Sequence, residues 1–259
     1  MILRSKRVDG PYVPYQNNPI LTQRDLPAER EFPITSVGHA DYFTDDKGDW
    51  WAVFLGVRPY QNDYYNTGRE TFMLPVRWTE DQWPIILDEG QPVPYSIPKP
   101  NRAAVKPSSI PLNGNFEFID TFASEDMPLH YITHRVPKQK WWSIDANGLS
   151  LVPQADSLGD GGQSAYWGRR QQHLHAKVQS QLIFSPQFRG DEAGLAAVQS
   201  DDFFYAIGIR ADTEDEWSIV AKQKAGANDT VNGTIISLVK VAQTNDEIGL
   251  KIESTGKDG

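Results

Sequence analysis

Proline and glycine break this chain so often that long helices have no room. There are 18 Pro and 20 Gly in 259 residues, and the stretches between them are short and rich in Val, Ile, Phe, Tyr and Trp. β-branched and aromatic segments bounded by turn residues read as strands. The expectation is an all-β chain. The run 50–57, "WWAVFLGV", is continuously apolar, as in a strand buried on both faces. The turn signal Asp45-Asp46-Lys47-Gly48 precedes it, so 39–44 and 50–57 pair as a hairpin. Residues 71–78, "TFMLPVRW", make a further strand, with Pro75 marking an edge or a bulge.

The span 91–115 changes character: it holds six prolines and few large apolar side chains. It reads as extended connection. It divides the chain into 1–95, a linker at 96–114 and a second domain at 115–259. Beyond the linker the period-2 pattern is cleaner. In 176–184, Lys177, Gln179 and Gln181 oppose Val178, Leu182 and Phe184; in 203–211, Phe203, Tyr205, Ile207 and Ile209 share a face. Segments 233–242 and 248–254 continue the series. Half-buried antiparallel strands with turns between them predict a β-sandwich. The chain closes on a strand and a Gly-containing turn, so the sandwich is expected to be incomplete.

Charge and composition exclude some functions. The net charge is −9, with 23% charged residues, and no basic run is present. That argues against a nucleic-acid partner or an anionic membrane surface. No stretch has the length of a transmembrane helix. The absence of Cys removes thiolate and disulfide chemistry. Sequons at Asn228 and Asn232 permit secretion without requiring it. Eight Trp and ten Tyr suit stacking on sugar rings, although aromatics also fill β-rich cores.

The blocks "RSKRVDGPY", "NNPILT", "VGHADYF", "GDWWAVFLGVRP", "GRETFMLPVRW" and "DQWPII" come in the order found in glycoside hydrolase family 43. The chain resembles its β-xylosidase and α-L-arabinofuranosidase branch. Downstream, "FEFIDTF", "RRQQH" and "DEAGL" resemble the concanavalin-like sandwich appended to those enzymes. The resemblance implies part of a five-bladed β-propeller followed by a concanavalin-like (jelly-roll) β-sandwich. It implies inverting hydrolysis of terminal xylose or arabinofuranose from xylan or arabinan oligosaccharides, by an enzyme that leans towards an extracellular setting. Inversion needs a general acid and a base about 6.5–9.5 Å apart. In the family pattern these carboxylates precede the first block present here. No catalytic residue is therefore assigned: the acid and base are expected upstream of Met1, and the chain alone is expected to be inactive. The alternative is a non-catalytic carbohydrate-binding or scaffold module. The resemblance requires no cofactor and allows a homo-oligomer.

Three residues match or adjoin family site positions. His39, in the GHAD block, falls where the family keeps a pocket-floor histidine, which in some members helps hold a metal. Arg69, in GRETF, falls at the family's sugar-binding arginine, a fork of donors suited to hydroxyls and carboxylates. On a regular strand Asp41 shares a face with His39 and can orient the imidazole. The plainer readings are a backbone-bonded imidazole, a structural ion pair and a turn aspartate. An Arg69–Glu70 pair is not expected, because adjacent strand residues face opposite ways. If the chain did cleave sugars, Asp41 and Glu70 would be its carboxylates. Asp45, Asp46 and Asp49 read as turn residues, and Trp50 and Trp51 as core. His173 and His175 would share a strand face and could invite a metal. Asp191 and Glu192 could hold a structural Ca²⁺, or form a solvated turn.

Overall fold

In a computed structural model of the chain, residues 1–98, 100, 106, 108–111, 114–123 and 126–255 are described. Parts of the expected 96–114 linker, and residues 256–259, lie outside them. The chain splits into two compact units, Met1–Pro107 and Ser108–Gly259. Among the described residues the fold is all-β: seventeen strands and one turn of 3-10 helix at Gln61–Asp63. No helix there is long and apolar enough to cross a membrane.

The first unit holds β1 (Leu3–Arg4), β2 (Val13–Pro14), β3 (Thr35–Thr44), β4 (Trp50–Val57), β5 (Glu70–Pro75), β6 (Arg77–Trp78) and β7 (Pro84–Ile85). β3, β4 and β5 form an antiparallel sheet in that order, with β4 central. The 45–49 turn closes on itself: Asp45 N donates to Asp49 O, and Asp45 Oδ1 accepts from the backbone N–H of Lys47 and Asp49. β4 is not buried equally on both faces, as its apolar run predicts. Ala52, Phe54 and Gly56 are buried, whereas Trp51, Val53 and Leu55 are half-buried. A three-stranded sheet with one packed face keeps the alternation even when the sequence does not show it. Trp50 is exposed and lies edge-on to Trp78, and Trp51 is half-buried with its indole N–H on Asp45, so neither is the core residue expected. The predicted 71–78 strand breaks after Pro75, on the sheet edge, where a missing N–H costs no ladder bond.

The packed face joins Ile34, Ala52, Phe54, Leu74, Val76, Ile86 and Val93 into one core, with the Phe54 and Phe72 rings stacked at 5.9 Å. Gly56 is needed there, since an added Cβ would come within 3.0–3.2 Å of Phe72 and Ile34. The start of the proline-rich span belongs to this core. Val93 is buried, and Gln23 clamps the span by donating to Gln91 O and accepting from Val93 N.

The second unit holds β8 (Tyr131–Thr133), β9 (Trp142–Asp145), β10 (Gly148–Leu151), β11 (Trp167–Arg169), β12 (His175–Leu182), β13 (Glu192–Ser200), β14 (Phe203–Ala211), β15 (Trp217–Ala225), β16 (Thr234–Val241) and β17 (Ile248–Thr255). β13–β14–β15–β16 is a four-stranded meander, and β12 pairs with β17. Ile209, Ala211 and Trp217 pack with Leu182, Phe184 and Ile248. This is the face the alternation predicts, but only its Ile209 end is covered. Phe203 and Tyr205 on the same face are exposed, and Phe204 on the opposite face is buried. β14 is central in its sheet, so different stretches of its two faces are covered.

Candidate functional site

His39 lies on β3, and β3 is irregular where His39 sits. Its pairing with β4 shifts between Thr35 and Gly38 and again between Gly38 and Asp41. Ser36 and His39 take left-handed backbone, with φ of 52° and 53°. Bulges re-aim side chains, and left-handed backbone at a non-glycine residue stores strain. The break also undoes the alternation that was to place Asp41 beside His39. Both residues are exposed, and no hydrogen bond or ion pair joins them. Among the described residues no three His, Asp or Glu gather as a metal site, around His39 or elsewhere.

Arg69 is exposed at the head of β5, just after Gly68, whose φ of 67° lets the chain turn. Its neighbour Glu70 pairs in register with Gly56. Glu70 makes a two-point ion pair with Arg58, at 2.7 Å from Nε and 2.6 Å from Nη2, and accepts from Thr67 Oγ1 at 3.1 Å. Arg58 also donates to Tyr95 Oη at 2.9 Å. The Glu70 carboxylate holds the guanidinium charged more firmly still, well above its ordinary pKa. Tyr95 in turn meets Phe32 with ring centroids 5.1 Å apart.

Sequence reasoning missed Arg58, Tyr95 and Phe32. A signal was present. Each lies two residues beyond a core position: Phe32 from Ile34, Arg58 from Gly56, Tyr95 from Val93. Glu70 stands likewise two from Phe72.

In the second unit the expected pairings dissolve. β12 begins at His175, and His173 lies before it, edge-on to Phe116. Asp191 Oδ2 accepts from the backbone N–H of Gln187 and Phe188, and Glu192 pairs with Lys222 at 2.6 Å. A set that sequence did not reveal joins Ser164, His134 and Asp201. His134 Nδ1 is 3.0 Å from Ser164 Oγ, and Nε2 is 2.8 Å from Asp201. Ser164 is buried, and Asp201 is also gripped by Arg135 at 2.6 Å, which holds its carboxyl below the usual range. The set ties the residue after β8 to the β13–β14 turn, with the Ser164 side chain buried.

The fold defines a class: an all-β chain in which a unit built on a short antiparallel sheet is followed by a sandwich-type unit. Residues 1–84 match the family profile described as "Glycosyl hydrolases family 43", and residues 119–258 match "Beta xylosidase C-terminal Concanavalin A-like domain". The chain belongs to glycosyl hydrolase family 43. It is 30% identical over 228 residues to a non-reducing end α-L-arabinofuranosidase of Bacteroides ovatus, covering 87% of this chain and 39% of that protein. It is 25% identical over 228 residues to a β-xylosidase of Bacillus subtilis, covering 82% of this chain and 40% of that one. The crystal structure of the GH43 protein BlXynB from Bacillus licheniformis superposes with a TM-score of 0.78 at 28% identity, over 96% of this chain and 45% of the other. The chain thus spans about two fifths of the curated relatives it matches.

Proposed function

We propose that this chain supplies the substrate-holding wall of a glycoside hydrolase that removes terminal xylose or arabinofuranose from xylan or arabinan oligosaccharides. Arg69 donates to sugar hydroxyls, and His39, aimed by its bulge, lines the same pocket. One observation carries the reading: Glu70, the carboxylate inside β5, has both oxygens held by Arg58 and one also by Thr67. A carboxylate whose oxygens are taken up by a guanidinium and a hydroxyl is not free to reach a glycosidic oxygen as its proton donor. Asp41 is exposed and no hydrogen bond joins it to His39, so the two are not held together as an acid–base pair. The reading therefore has the 259 residues bind sugar without cleaving it.

The test is release of p-nitrophenol from p-nitrophenyl β-D-xyloside and p-nitrophenyl α-L-arabinofuranoside by the purified chain, beside Arg69→Ala. The expected result is no release above that of the variant. Release that Arg69→Ala abolishes would sink the wall reading and move the acid and base into this chain.

A further inference from the structure

The loop 226–233 joins β15 to β16 and holds both Asn-x-Thr sequons of the chain, Asn228-Asp229-Thr230 and Asn232-Gly233-Thr234. It is built as two consecutive turns. Asp229 N donates to Gly226 O at 3.1 Å, and Gly233 N donates to Thr230 O at 2.9 Å. Each asparagine is the third residue of its turn. Both are exposed, and among the described residues neither side-chain amide makes a hydrogen bond. The two sequons differ in their middle residue. Asp229 is tied into the loop, its Oδ2 accepting from Ala225 N at 2.7 Å, and it sets a carboxylate between Asn228 and Thr230. Gly233, at φ 74°, sets no side chain between Asn232 and Thr234. Thr234 opens β16, exposed and paired in register with Gln223.

The strand that follows is bare. Among the described residues β16 is the edge of its four-stranded sheet, and every residue of it except Val241 is exposed. Ile235, Ile236, Leu238 and Val239 are in water, and so is Val231 in the loop. Leu238 and Val239 are adjacent, so the apolar surface lies on both faces. The one charge on the strand, Lys240, is drawn to Asp212 and Glu216. An apolar edge of this length is a template for pairing with another chain unless something bulky or charged guards it. We propose that Asn232 is an N-glycosylation site and that its glycan is the guard of the β16 edge. The Nδ2 of Asn232 attacks C1 of the reducing-end sugar of a polyprenyl-diphosphate-linked oligosaccharide. A C1–Nδ2 bond forms, the bond from C1 to the diphosphate oxygen breaks, Nδ2 gives up one proton and the lipid diphosphate leaves. The Thr234 hydroxyl, two residues on, completes the acceptor sequence. A glycan is bulky and hydrated, and Asn232 stands two residues ahead of the edge it would cover.

The experiment translates the 259-residue chain into endoplasmic-reticulum microsomes behind a cleavable leader and follows the gel shift that an endoglycosidase reverses. Wild type is run beside Asn232→Gln, Thr234→Val and Asn228→Gln. Thr234→Val keeps shape and strand preference and removes only the hydroxyl. The readout is covalent, so a less stable variant still reports. The expected result is a shift in wild type, one glycan fewer in both Asn232→Gln and Thr234→Val, and at least one glycan kept in Asn228→Gln. No shift in wild type, or a shift unchanged in Asn232→Gln, overturns the site. The guard is tested on the chain secreted from yeast, by sedimentation before and after the glycan is trimmed to a single sugar. The expected result is a monomer before trimming, a larger species after it, and a monomer again in trimmed Leu238→Lys, which charges the edge. A trimmed wild-type chain that stays monomeric, or an untrimmed one that associates as fully, overturns the guard.

Discussion

Strand β3 of the first unit and the β14–β15 hairpin of the second are ladders of similar length built to opposite ends. β14 and β15 pair from Phe203↔Ala225 to Ala211↔Trp217 without a register shift. β3 shifts twice against β4 and carries two left-handed residues. The regular hairpin holds side chains where alternation puts them, and towards its Ile209 end both faces are covered: Ile209 on one and Val220 on the other are fully buried. The irregular strand gives up ladder regularity at Ser36 and His39, and on the function proposed above the bulge is what aims His39. Regularity serves stability, and departure from it is where a side chain is being aimed.

The largest effect should come from the regular ladder. Ile209→Ala leaves a cavity beside Ala211 and Trp217 and is expected to cost about 3 kcal/mol. Chemical denaturation with the Trp fluorescence as readout would show it, with sugar binding unchanged. A loss below about 1 kcal/mol would mean that the hairpin core is loosely packed and the contrast with β3 is overstated.

A smaller effect concerns the hairpin's charged end. Asp212 follows β14, and its carboxylate takes Lys240 at 2.8 Å, Arg210 at 2.5 Å and the Ser218 hydroxyl. The bond from Lys240, then that from Ser218, holds the acid well below its ordinary range. A carboxyl with a depressed folded-state pKa stabilises the fold above the unfolded pKa of about 4, and that stability fades as pH falls through the folded value. Asp212→Asn should therefore cost about 1.5 kcal/mol near pH 7, and the gap to wild type should narrow between about pH 5 and pH 2. A gap that stays constant over that range would show that the ion contributes nothing beyond its shape.

The smallest effect has the opposite sign. His39→Gly removes the left-handed penalty and should stabilise the first unit by about 0.5–1 kcal/mol, while weakening sugar binding. Destabilisation on heating would show that His39 earns its place through packing, and the aimed-side-chain account of β3 would fail.

Much of the strand plan was legible. The 45–49 turn, the hairpin it closes and strands β12, β14, β16 and β17 follow from turn chemistry and period-2 patterning, which act between near neighbours; β13 and β15, which complete the meander, carried no such signal. Bulges were not legible. Nothing local in "TSVGHAD" announces two register shifts, because a bulge is a property of the strand and its partner together. Asp41 was placed beside His39 on alternation that the bulge removes. The Arg58–Glu70 pair was hidden because its members are twelve residues apart and meet only when β4 and β5 align.

By itself the sequence determined the all-β class, the change of character at the proline-rich span and the family blocks that locate His39 and Arg69. These depend on backbone preferences and side-chain types, which each residue carries with it. Tertiary structure alone decided which apolar residues are buried: Phe204 and not Phe203, Ala52 and not Trp50. It also decided which carboxylate is neutralised by which cation, and which aromatic rings stay in water. Burial and ion pairing are set by what lies across the sheet or beyond the turn, and those neighbours are distant in the chain.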